Sequence, residues 1–171
     1  MTEQRPNHST RHRPRASKRI KYWTLFCMIA FILACYGVLA LGMSLVNTLV
    51  RLVIDPLNHT QAVINLMDVC GWWQNGPVLA AAQQFAFLLA CMLFLHTLLS
   101  MQAYWYGWLA DGILIAVISI FTPIAPLRGL LGGFFRAVML NANAPFHLAV
   151  CTALCAAFAL AGLAVLKHKT L

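Results

Sequence analysis

The sequence predicts an all-α fold: a polytopic membrane protein of four transmembrane helices with both termini on the cytoplasmic side. Overall composition, the placement of charge and an imbalance of basic residues predict it. Of 171 residues, 61% are apolar and 9% are charged. A soluble domain averages roughly 45–50% and about 25%. Those figures exclude a water-soluble domain, and equally a collagen-like, coiled-coil or disordered chain.

Charge is missing in blocks. Tyr22–Val50, Val69–Ala110 and Ala137–Leu166 contain no Lys, Arg, Asp or Glu. A hydrocarbon core about 30 Å thick takes roughly 20 helical residues to cross. The first and last blocks each hold one helix, and the middle block is nearly two crossings long. The expected spans are about 22–46, 78–100, 104–125 and 146–166, the third carrying Asp111 within it. Pro77 suits a first helical turn, where its missing N–H costs nothing. Pro123 and Pro126 mark the end of the third span, and Asn143 with Pro145 opens the fourth. The runs lack the period-two alternation of a barrel strand. Aromatic rings cluster at the span ends: Tyr22 and Trp23, Trp72 and Trp73, and Tyr104, Trp105, Tyr106 and Trp108. Such rings favour the headgroup level.

Of the 12 Lys and Arg, nine lie before Tyr22 or after Leu166, and three (Arg51, Arg128, Arg136) lie in the predicted outer connections. The positive-inside bias places both termini in the cytoplasm. Residues 1–21 read as a disordered basic tail that touches anionic lipid, and residues 22–171 as the membrane domain. A nucleic-acid arm would need interleaved aromatics and a binding fold beside it, and neither is present. A secretory core segment runs about 7–15 residues; the first apolar stretch is longer and reads as an uncleaved anchor.

In the first outer connection, Thr60–Val69 carries a short amphipathic helix pattern. For Asp55, His59 and Asp68 to act as metal ligands, Asp55 and His59 would have to share a helix face at i, i+4, and Pro56 and Asn58 argue against a helix there. No metal motif of fixed spacing occurs. Asn58-His59-Thr60 and Asn7-His8-Ser9 are glycosylation sequons, the first on the predicted outer side. The second connection, 126–145, is too apolar for a free loop and too charged for a span. It is expected to be interfacial or partly re-entrant, with Arg128 and Arg136 snorkelling.

Asp111 is the most informative residue, because a carboxylate within a span is costly and needs a partner. The tight hairpin near Met101–Ala103 puts His96 within roughly 4–5 Å of its depth at helical rise. The pair is expected to be either a proton-titrating couple or a structural contact, with Asp111 alternatively reaching water past Gly107. Gln83 and Gln84 read as structural polar groups near the outer end of the second span. Five cysteines lie in spans and Cys70 in the outer connection; without a Cys-x-x-Cys pair they read as small apolar residues. Ala149, Ala153, Ala157 and Ala161 give the fourth span one small face, suited to close packing within the bundle or against another subunit.

No phosphate-binding Gly-Lys-Ser/Thr loop, His-Glu-x-x-His or Gly-x-Ser-x-Gly occurs. Neither catalysis nor a cofactor, metal or small-molecule substrate is therefore expected. Few polar residues line any span, and the two halves share no duplication. The chain is expected to act by lateral contacts in the bilayer, with itself or with another membrane protein. The alternative is a small oligomeric transporter or proton-coupled permease subunit using Asp111 and His96.

In the order and spacing of its spans, in Tyr104-Trp105-Tyr106-Gly107-Trp108, and in Val138-Met139-Leu140 before Pro145, the chain resembles the YbjO-type small four-span inner-membrane proteins of enterobacteria. The resemblance implies a bacterial inner-membrane location and supplies no catalytic residues. Trp72-Trp73 falls outside it.

Overall fold

The structure is a computed structural model that describes residues 16–58 and 65–170. The basic tail over 1–15, His59, the first half (60–64) of the predicted amphipathic segment and the Asn7 sequon fall outside that range. Every regular element among the described residues is helical. Helix α1 (Ala16–Leu49) runs on through a wide π turn, Val50–Ile54, into the single turn α2 (Asp55–Asn58). The helix thus starts before the predicted Tyr22, within the segment expected to be tail, and continues past Val46. Pro56 explains the π turn. In an α-helix its ring would strike the carbonyl four residues back and its missing N–H would break the ladder, and the wider turn relieves the crowding. Pro56 therefore does not prevent helical backbone at 55–58, contrary to the expectation.

The short α3 (Leu66–Val69) follows, capped by Asn65, whose side chain accepts from the Met67 N–H. A 3₁₀ turn at Trp72–Asn75 leads into α4 (Pro77–Met101). Gly71 and Gly76 flank this turn at φ of 72° and 89°, which only glycine takes up without strain. The remaining helices are α5 (Trp105–Phe121), α6 (Ala125–Val138) and α7 (Ala144–Thr170).

Helix α4 is the hub. Its buried residues Gln83, Ala86, Ala90, Leu93 and Thr97 recur at three- and four-residue steps, and α7 packs along this face while α1 packs beside it. Alanines there let the neighbouring backbones come close. The Ser44 hydroxyl donates to the Ala81 carbonyl at 2.6 Å, and Thr97 Oγ1 shares its hydrogen between the Leu93 and Phe158 carbonyls at 2.8 and 3.2 Å. Tyr36 meets His96 and Ser44 meets Ala81, so α1 is antiparallel to α4. Asn75 meets Ala142 and Thr97 meets Phe158, so α7 is parallel to α4.

Parallel neighbours require the chain between them to return from one end of the bundle to the other, and α5 with α6 makes that return. Helix α5 stops at Phe121, short of the predicted end at 125. Thr122 precedes Pro123, a position that disfavours helical backbone, and α6 leaves at 118° to α5. The third span is thus α5 alone, and α6 fills the segment 126–145 expected to be interfacial or partly re-entrant. Three helices, within Trp23–Ile54, Pro77–Met101 and Ala144–Lys167, are long and apolar enough to cross a membrane, and the bent α5–α6 pair makes a fourth if it counts as one span.

Candidate functional site

Neither predicted site residue binds the other. His96 Nδ1 hydrogen-bonds Tyr36 Oη at 3.0 Å, and its Nε2 lies 3.5 Å from Ser100 Oγ. Asp111 Oδ2 accepts from Gln102 Nε2 at 3.0 Å. Gln102 caps the end of α4, so the carboxylate is served by the turn and not by a histidine one helix away. What makes this turn tight is Gly107: a Cβ there would run into the Met101 carbonyl. Helix α5 then leaves α4, and of its residues only Gly107 is buried.

The largest group of buried polar side chains lies at the other end of the bundle, where α4 and α7 begin. Trp72 is fully buried, which corrects its reading as a headgroup-level aromatic; Trp23, Trp105 and Trp108 are exposed. The 3₁₀ turn between Gly71 and Gly76 presents Trp72 to the bundle, onto Met67, Cys70 and Ala80. Its ring lies 4.9 Å from that of His147 and 5.7 Å from that of Phe87, centroid to centroid. Burial pushes the Cys70 thiol above its ordinary range.

His147 is fully buried in the first turns of α7. The Val138 carbonyl lies 2.8 Å from its Nε2, and a carbonyl can only accept. Nε2 therefore carries the proton, and Nδ1 of the neutral ring is a bare lone pair. This bond ties the last turn of α6 to α7. Beside it, Asn75 Nδ2 donates to Gln83 Oε1 at 3.0 Å and to the Ala142 carbonyl at 2.7 Å, and Gln83 Nε2 reaches the Asn141 carbonyl at 3.4 Å. The glutamine read as structural does hold the 141–143 connection to α4. Trp72 Nε1, Gln84 Oε1 and His147 Nδ1 are buried without a hydrogen-bond partner.

His147 was not singled out from the sequence. The available signal was His147 four residues before Cys151, one turn apart on the helix that Pro145 opens; Cys151 Sγ lies 3.7 Å from His147 Nε2. The six cysteines are free. Of the first outer connection's acids, Asp68 pairs with Arg51 at 3.3 Å, and Arg51 also sits 5.6 Å over the Trp73 ring. Among the described residues no three of His, Cys, Asp or Glu converge as a metal site would require.

The small face of α7 points away from the bundle. Ala149, Ala153, Ala157 and Ala161 are all exposed, while His147, Cys151 and Gly162 are buried. The architecture is that of a helical protein with several apolar helices of membrane-spanning length. No family model, curated protein or solved structure matches the chain.

Proposed function

We propose that this is a multi-pass protein of a bacterial inner membrane, without catalytic activity of its own, that works by lateral helix contacts with a second copy or another membrane protein. One observation carries the reading: the alanine stripe Ala149-Ala153-Ala157-Ala161 lies on the exposed side of α7. A stripe of small residues lets two helix backbones approach closely in lipid, where packing rather than water exclusion drives association. The bundle uses other residues of α7 for its own packing, so this face is left for a neighbour. In this reading α1, α4 and α7 each cross the bilayer, α5 makes the fourth passage and turns into α6 at the surface it reaches, and both termini are cytoplasmic. The transporter alternative drew on a His96–Asp111 couple, and those two residues hold different partners.

A photoactivatable amino acid placed at Ala157 and, separately, at Phe31 on the exposed side of α1 tests the reading in native membranes. The Ala157 probe is expected to give a protein adduct and the Phe31 probe lipid adducts. Lipid adducts alone from both positions would contradict it.

A further inference from the structure

We propose that α6 is a binding surface for anionic phospholipid headgroups, gripped by Arg128 and Arg136. The proposal rests on the membrane reading above and adds a ligand class to it. Arg128, Gly132 and Arg136 follow one another at four-residue steps and share one face of α6, with Gly129 and Gly133 beside them. The opposite face is apolar, with Leu130 and Phe134 exposed, while the exposed Phe135, seven residues after Arg128, flanks the basic face. A helix of this kind lies along an interface, its apolar side in the acyl chains and its basic side among the headgroups. The 118° bend after α5 sets α6 across the direction of α5, and the His147–Val138 bond fixes its far end to α7.

Two further observations point to an anion. First, neither arginine has an acidic partner among the described residues. The chain has only four Asp and Glu, of which Asp68 takes Arg51 and Asp111 takes Gln102. Second, the floor between the arginines is bare backbone. Beyond the helix's own backbone and the adjoining residues, a Cβ at Gly129, Gly132 or Gly133 would meet nothing within 4 Å, so no other part of the described chain covers this strip. The two arginine Cα atoms are about 12 Å apart along the axis, and their long side chains can close over the glycines from both ends. Guanidinium groups match phosphate oxygens by bidentate, charge-assisted hydrogen bonds.

The test uses the full chain reconstituted in vesicles that contain a photoactivatable phosphatidylglycerol, or the matching phosphatidylcholine, with the reactive group near the headgroup. Adducts on residues 125–138 are counted by mass spectrometry and normalised to adducts on α1. Phosphatidylglycerol is expected to label α6 in preference to phosphatidylcholine. The preference should fall about fivefold for each of Arg128→Gln and Arg136→Gln, and Arg→Lys at both sites should restore part of it. Gly132→Leu keeps both charges and fills the floor, and it is expected to lower the preference as well. Exchanging chloride for phosphate at matched ionic strength should leave labelling unchanged. Equal labelling by the two lipids, full labelling in the double Gln variant, unchanged preference in Gly132→Leu, or competition by free phosphate would overturn the proposal. If the protein instead fails to stay in carbonate-washed vesicles, the membrane reading fails, which is a separate result.

Discussion

A few side chains carry more of the architecture than their neighbours do. Gly107 is the clearest, because the turn from α4 to α5 leaves no room for a Cβ beside the Met101 carbonyl. Gly107→Val is expected to cost about 1–3 kcal/mol, the usual range for overpacking, read as an earlier midpoint in an SDS unfolding titration. His147 is the second. Its Nε2 proton anchors the end of α6, and its ring fills space against Trp72. His147→Ala removes both contacts and is expected to cost about 2–5 kcal/mol, the range for truncating a large buried side chain. Cys70 gives a prediction in pH. Its thiol is buried and held above the ordinary range, so the reactive thiolate is scarce at neutral pH. Alkylation of Cys70 by iodoacetamide in the folded protein should be slower than that of an unfolded control at pH 8. It should keep accelerating as pH rises beyond the point where the control has levelled off. Equal rates at pH 8 would contradict the burial.

Helices were more legible in the sequence than their joints. Spans predicted at 78–100 and 146–166 appear as Pro77–Met101 and Ala144–Thr170, because continuous apolar runs with Pro near the first turn leave little choice. Counting apolar residues makes the third span too long, since it ignores the backbone penalty that Pro123 places on Thr122. Pro56 was over-read in the opposite direction: a π turn absorbs it. Pairing between helices was not legible, because a span's composition does not say which helix neighbours which. His96 accordingly meets Tyr36 across α1, and Asp111 meets Gln102 along the chain. The bonds that hold the three long helices together are few and polar. Ser44→Ala should loosen α1 from α4, and Thr97→Ala should loosen α7 from α4, each by about 0.6–2 kcal/mol. The two contacts sit about 24 Å apart along α4, between Ala81 and Thr97. Their effects should therefore add within ~0.5 kcal/mol in the double variant. A strongly non-additive result in a steric-trap or SDS titration would mean that α1 and α7 do not pack independently on α4.

At the scale of the whole molecule, a parallel α4–α7 pair and an antiparallel α1 put the starts of α4 and α7 at one end of the bundle. Ile29 and Leu33 of α1, His96 of α4, and Gly162 and Leu166 of α7 line one groove at the other end. Composition forecast apolar helices of membrane-spanning length, and the imbalance of arginines and lysines predicts an orientation that labelling from the two sides tests. The buried Trp72–His147 cluster was hidden because its members lie far apart in sequence and come together only through the parallel packing. The proposed arrangement makes the three long helices passages through a bilayer. The most direct measurement is labelling of single cysteines, introduced at Gln74, Asn143 and Lys167 in a cysteine-free background, by a membrane-impermeant maleimide on intact cells and after permeabilisation. Positions 74 and 143 are expected to react in intact cells, and 167 only after permeabilisation. Reaction of 143 and 167 from the same side would contradict it.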